Sequence, residues 1–369
     1  MIKAGFLKTI VFLLIFTAVI GSYREVLSWG LFNLFSDTEY SAEGMSRVDG
    51  FDPDRDILYL PPLHDKDMFR AAGDLSICRK KEVRRQIYLY LTTGREYLKR
   101  GIERSHLHEN AVRGVFKNNP DIPEDIALLP LLESGFDPRA LSRSRAVGLW
   151  QFVDNTARPL GLQNNRWLDE RRSVEKSTEA AIRHLRTLRK LFPNWELALA
   201  AYNGGAGYVK RAMIKTGTGD FWALRESGRL REETGDYVPK YLALLLIYKN
   251  QRLFGISDEI AVPPCCETEY FTLAHPADLR DVSRLSGVPL NTIRTLNPEL
   301  NATVTPPAEK NYRLRLPADG KKRLTENAGE LYKKKISGVG EYRVRKGDTL
   351  TRIALLHKKK LNTSSGLTE

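Results

Sequence analysis

The sequence has few of the features that would signal a metalloprotein or a membrane-spanning protein. Three cysteines in 369 residues, Cys78, Cys265 and Cys266, form no Cys-x-x-Cys pattern, which argues against a structural zinc site. None follows the N-terminal apolar run at the place where a bacterial lipid anchor attaches. A bridge from Cys78 to one of the adjacent pair stays open. The six histidines are scattered, with His106 and His108 the one close pair, so neither a metal nor any other cofactor is expected. Glycine and proline, at 27 and 18, are too few for a collagen-like or low-complexity chain, and 42% hydrophobic with 28% charged residues is the balance of a folded protein. The length excludes a single small domain and allows two or three folded units.

Charge and the N-terminus narrow the class. A net charge of +13 favours a polyanionic partner: nucleic acid, anionic lipid or an acidic cell-wall polymer. Lys3 and Lys8 precede an uncharged run, Thr9 to Ser22, that is shorter than a spanning helix needs. Residues 1–25 therefore read as a signal peptide or an uncleaved signal anchor, and the protein as exported to the periplasm or cell envelope, held at the membrane if the segment stays. Export and the lack of a zinc-finger or similar signature argue against nucleic acid.

Residues 26–80 are broken by Phe51-Asp52-Pro53-Asp54 and Leu60-Pro61-Pro62 and read as a stalk or wrap. From Lys81 to Asn118 apolar residues recur at helical spacing in two segments. Further helices are expected at Glu124–Leu132, Ala146–Leu160, Thr178–Leu191, Glu196–Lys215 and Val238–Tyr248, making 81–257 an all-α domain. After Pro263-Pro264 a strand at Glu269–Leu273, helices at Leu279–Leu285 and Leu290–Leu296, and alternation at Tyr312, Leu314 and Leu316 give a βααβ unit over 267–317. Residues 318–340 read as a lysine-rich linker, and 341–369 as half of a second such unit with a disordered tail.

Within the helical domain Glu133 stands where an apolar helix stops at Ser134-Gly135, and desolvation there raises a carboxyl into the range of a proton donor at neutral pH. The plainer reading is a solvated glutamate in a last helical turn. Downstream, Gly148-Leu149-Trp150-Gln151-Phe152 offers aromatics and an amide suited to a sugar groove, unless Leu149, Trp150 and Phe152 are core. Ala201-Tyr202-Asn203 and Glu233-Thr234-Gly235-Asp236-Tyr237-Val238-Pro239-Lys240 each join small residues to a tyrosine able to orient an acid or a sugar.

In this order the four motifs resemble the catalytic domain of the lytic murein transglycosylases, in particular the membrane-bound type D branch. The resemblance covers about Lys81 to Gly255 and implies a goose-type-lysozyme-like helical fold. It implies Glu133 as catalytic acid and base, with Ser142, Gln151, Tyr202, Asn203, Glu233 and Tyr237 lining or shaping the sugar site. One departure is visible: this chain reads Gly204-Gly205-Ala206-Gly207 where the family commonly has Ala-Gly-Glu-Gly, so it lacks a carboxylate there. Residues 267–317 resemble LysM peptidoglycan-binding modules through Asp278–Val288 and Leu296-Asn297-Pro298, and Gly347-Asp348-Thr349-Leu350 resembles the opening of a second, truncated one.

The expected fold is thus mainly α, with a lysozyme-like all-helical catalytic domain, a βααβ LysM-like module and a truncated second one. The expected substrate is the glycan strand of peptidoglycan. The bond between N-acetylmuramic acid and N-acetylglucosamine is cleaved with a single glutamate and leaves a 1,6-anhydromuramyl end. Lysozyme-type hydrolysis, which needs a second carboxylate that the sequence does not place, and a non-catalytic wall-binding protein are the alternatives. Oligomeric state is not legible.

Overall fold

The computed structural model describes residues 80–252, 254–261, 268–332, 345 and 347–356. The N-terminal segment, the stalk, Cys78, Cys265 and Cys266, and most of the expected C-terminal half-module lie outside them. Among the described residues no helix is long and apolar enough to cross a membrane.

The first unit is built from helices that differ in how completely they are covered. Helix α1 (Lys81–Leu91) and the 23-residue α2 (Arg95–Lys117) each bury one stripe, as their periodicity requires. A 3₁₀ turn (Glu124–Leu128) runs into the short α3 (Leu129–Ser134), and a single turn, α4 (Asp154–Ala157), follows a non-helical loop. Helix α5 (Val174–Leu191) starts at Ser173, whose side chain accepts from the Lys176 amide. Helices α6 (Trp195–Gly204), α7 (Ala206–Thr216) and α8 (Phe221–Glu226) lead to α9 (Glu232–Lys249). Asn194 and Asp220 cap α6 and α8 through the amides of Leu197 and Ala223. In α9 every residue from Tyr241 to Ile247 is buried, so it serves as the hub on which α1, α6 and α3 pack. One apolar core runs from Val83 to Ile256.

The second unit pairs β1 (Thr268–Leu273) antiparallel with β2 (Tyr312–Pro317), in register from Thr268 opposite Pro317 to Leu273 opposite Tyr312. Between the strands lie α10 (Leu279–Ser286), capped by Asp278 on the Arg280 amide, and α11 (Leu290–Leu296). Buried Asn297 binds α11 to β2: its Nδ2 donates to the carbonyls of Ile293 (2.7 Å) and Arg315 (2.8 Å), and its Oδ1 accepts from the Arg315 amide (2.8 Å). Two buried polar ends are thereby satisfied at once.

Three expectations need correction. The stretch 146–160 is helical only from Asp154 onward: before it Val147 bridges Phe152, and Gly148 (φ 82) and Gln151 (φ 47) take the left-handed conformation that ends regular structure. The stretch 196–215 is two helices, because Gly205 at φ 89 breaks it. The stretch 318–340 is no plain linker over its first part. It carries α12 (Ala318–Glu326) and α13 (Ala328–Leu331), whose Leu324 and Leu331 are buried in the βααβ core, so Lys321 and Lys322 belong to the wetter face of a packed helix. Farther on, α14 (Leu350–Leu356) is a single short helix.

Candidate active site

Helix α3 presents Glu133, and its neighbours fix that helix from two sides. Gly135 at φ 57 closes it with a left-handed cap. The open carbonyls of its last turn are met by Tyr97, whose hydroxyl donates to Leu131 (2.8 Å) and Leu132 (3.3 Å). On the other side the Ser134 hydroxyl contacts the carbonyls of Pro130 (3.2 Å) and Leu149 (3.0 Å), tying α3 to the loop carrying Gln151. Helix α2 passes so close that a Cβ on Gly101 would lie 2.6 Å from Leu131 Cδ1.

Glu133 itself is half-buried, and the Tyr237 hydroxyl donates to its Oε1. Burial pushes its carboxyl up to about 7, the Glu233 charge adds to the rise, and the bond from Tyr237 opposes it. The hydroxyls of Tyr237 and Tyr202 are in turn held well above the usual tyrosine range, first by burial and then by the Glu133 charge. Tyr202 is anchored by donating to the Trp150 carbonyl at 2.7 Å. Asn203 Nδ2 donates to Glu233 Oε1 at 3.1 Å, while its Oδ1 accepts from Thr234 Oγ1 at 3.0 Å. Gly204 permits this approach of α6 to α9, since a Cβ there would lie 2.8 Å from Thr234 Oγ1.

The residues singled out in the sequence therefore fall into two groups. Glu133, Tyr237, Tyr202, Glu233 and Asn203 share one electrostatic and hydrogen-bonded neighbourhood. Ser142 and Gln151 hydrogen-bond within their own loop: Ser142 Oγ accepts from the Ala146 amide (3.0 Å) and meets Ser144 Oγ (2.9 Å), and Gln151 Nε2 donates to the Gly148 carbonyl (2.8 Å). Leu149, Trp150 and Phe152 are core, at 0%, 0% and 3% exposure. Trp150 stacks on Phe116 with ring centres 6.2 Å apart and donates Nε1–H to Thr178 Oγ1 at 2.9 Å, so the aromatics of this motif hold the loop down rather than face a groove. Tyr97, legible in the sequence only as part of a helically spaced stripe, carries no local signal of this role, because it depends on contacts 34 and 35 residues away. Among the described residues no cluster of three or more His, Cys, Asp or Glu is spaced to hold a metal ion.

Comparison with known proteins bears on this arrangement. The family description "Transglycosylase SLT domain" matches residues 117–224, and "Lytic transglycosylase MltD, LysM-like domain" matches residues 267–333. The chain is 32% identical over 312 residues to the membrane-bound lytic murein transglycosylase D of Escherichia coli (strain K12), a match covering 79% of this chain and 66% of that protein. The chain is thus similar to the membrane-bound lytic murein transglycosylases of type D in both of its units. It spans just under two thirds of the length of this relative. Shorter matches are to the membrane-bound lytic murein transglycosylase F of Alcanivorax borkumensis (32% over 109 residues; 26% of this chain, 22% of that one) and to the peptidoglycan transglycosylase gp16 of Escherichia phage T7 (36% over 100 residues; 26% and 8%). The helical unit is thus the lysozyme-like SLT fold of this family, and the LysM-like match extends to residue 333, past β2 and over α12 and α13.

Proposed function

We propose that the chain is an exported peptidoglycan lytic transglycosylase of the cell envelope, with Glu133 as its single acid and base. The observation that carries this reading is Glu133 itself: a half-buried carboxyl raised to about 7, with a tyrosine donor on one oxygen. Such a group holds its proton near neutral pH and releases it at little cost, which is what a leaving glycosidic oxygen needs. Glu133 protonates the oxygen between N-acetylmuramic acid and N-acetylglucosamine as the C1–O bond breaks. The N-acetyl group of the substrate stabilises the cationic carbon. Glu133, now a carboxylate, takes the proton of the C6 hydroxyl as its oxygen closes on C1, giving the 1,6-anhydro ring and restoring the acid. Tyr237 stabilises the intermediate carboxylate by donation, and Tyr202, Asn203 and Glu233 shape the pocket. Ser142 and Gln151 contribute from the adjoining loop. The LysM-like module holds the enzyme on glycan strands and raises the local concentration of scissile bonds. The +13 charge suits their acidic peptide stems.

One observation supports lysozyme-type hydrolysis as a second reading. A second carboxylate, Glu233, acts on Glu133 through its charge and is oriented by Asn203, so a base for an attacking water is present nearby. Mass spectrometry of muropeptides released from purified peptidoglycan separates the two. Products lighter by one water than hydrolytic fragments, lost in Glu133→Gln, establish the transglycosylase. Products of hydrolytic mass establish the hydrolase, and binding without products leaves a wall-binding protein.

A further inference from the structure

Between the two units lies a seam that the proposed reaction does not by itself require. Asn164 and Asp169 bridge each other and close a tight loop whose outer edge pairs with the βααβ module. Leu168 bridges Leu300, the Asp169 amide donates to the Glu299 carbonyl (2.8 Å), and the Asn301 amide donates to the Trp167 carbonyl (3.0 Å). Asn301 Nδ2 adds a bond to the Asn165 carbonyl at 2.9 Å. Trp167 and Leu168 are buried in the core of the module, not of their own unit. Beside the loop, Glu175 in the first turn of α5 accepts from Arg315 and from the Tyr270 hydroxyl (2.9 Å). Paired backbone and shared core make this a docked module, not one hanging from a tether.

The inner edge of the same loop reaches the candidate active site. Asp169 and Arg171 are both buried and form a two-pronged ion pair, Nε to Oδ1 and Nη2 to Oδ2, each at 2.9 Å. Arg171 Nη1 points at the carbonyls of Phe152 (3.4 Å) and Arg145 (3.5 Å), the two ends of the loop that carries Gly148 and Gln151. The backbones touch as well: a Cβ on Gly148 would lie 1.9 Å from the Arg171 carbonyl oxygen. That loop accepts the Ser134 hydroxyl through Leu149, one residue from Glu133. Asp169 therefore has its amide on the module and its carboxylate on the arginine that holds the loop.

We propose that Asp169 and Arg171 are positioning residues that couple docking of the module to the geometry of the Gly148–Phe152 loop beside Glu133. The module then shapes the site in addition to holding the polymer. The kinetic part of this inference rests on the proposed reaction; the part concerning loop order does not. A module acting only as a tether leaves turnover of a short soluble glycan unchanged, because nothing is gained from tethering to so small a substrate. A module that sets loop geometry changes it, since small misplacements near a reacting centre cost rate.

The test uses the full chain in three forms: wild type, Arg171→Lys, and a seam variant with Asn301→Ala and Glu175→Ala, extended by Leu168→Asp if the Asp169 and Asn301 amides stay protected. Hydrogen exchange at 148–152 and steady-state turnover of a soluble tetrasaccharide of alternating N-acetylglucosamine and N-acetylmuramic acid are read. Exchange of the loop about tenfold faster in both variants is expected. So is a kcat about tenfold lower with KM within about twofold. Wild-type loop exchange with an opened seam overturns the coupling, and an unchanged kcat in Arg171→Lys overturns the positioning role. If the wild type does not turn the glycan over, the proposed reaction fails while the exchange measurement still decides the coupling.

Discussion

Each unit of this protein contains a half-buried glutamate bonded by a tyrosine hydroxyl: Glu133 by Tyr237 in the helical unit and Glu299 by Tyr312, at 2.6 Å, in the βααβ module. Burial is the largest cause of a raised carboxyl in both, and the tyrosine bond opposes it in both. The charges around them differ. Glu133 feels the carboxylate of Glu233, which adds to the rise, whereas Glu299 feels Arg315, which pulls it down, against Glu175, which pushes it up. An acid faced by another acid keeps its proton near neutral pH and is free to deliver it. One with an arginine beside it sits in an ionic network that joins two units. A raised carboxyl is therefore not by itself a catalytic group; the charges around it decide what it can do.

The strongest test of this contrast exchanges both acids. Glu133→Gln is expected to lower product release by about 10²- to 10⁴-fold, the usual contribution of a positioned acid and base, whereas Glu299→Gln loses far less, as muropeptide mass spectrometry will show. The next effect concerns the loop that Glu299 has no counterpart for. Gly148→Ala places a Cβ against the Arg171 carbonyl at a left-handed position, and a loss of about 3 kcal/mol is expected in urea unfolding.

Stability against pH separates the acids further. Because the Glu133 carboxyl is raised from its ordinary 4.5 to about 7, the folded state binds more protons than the unfolded one between those values. Stability from this group is present below pH 4.5 and is lost as pH rises through 7. Glu133→Gln should therefore gain stability over wild type between pH 5 and pH 8, by up to about 3 kcal/mol, measurable as a rising difference in Tm. The smallest expected effect is from Tyr237→Phe. Removing a donor that lowers the Glu133 carboxyl moves the alkaline limb of activity to higher pH, with a kcat about tenfold lower from the lost bond to a charged group.

Much of the fold was legible along the chain because it is written in local periodicity. The stripes of α1 and α2 and the strand, helix, helix, strand order of the module read off directly. The failures share a cause. The apolar residues Leu149, Trp150 and Phe152 imitate a helix, yet left-handed Gly148 before them and left-handed Gln151 among them make a turn whose side chains reach the core of other helices. The lysines of 318–326 imitate a linker, yet Leu324 finds a core made by residues from 273 to 316. In each case the deciding contact is distant in sequence.

The candidate site divides in the same way. Glu133, Tyr237, Tyr202, Asn203 and Glu233 could be named from motifs because their residue types carry the chemistry at short range. What each does depends on desolvation and on charges brought together by folding. Sequence alone determined which carboxyl ends an apolar helix at Ser134-Gly135 and which small residues stand where helices must touch. Only the tertiary structure decided that Tyr237, 104 residues away, would donate to that carboxyl, that Glu233 would push it further up, and that the backbone of Asp169 would pair with Glu299 in another unit. Helical stripes and turns are set by neighbours along the chain, whereas a pKa is set by everything within a few ångströms, whatever its place in the sequence.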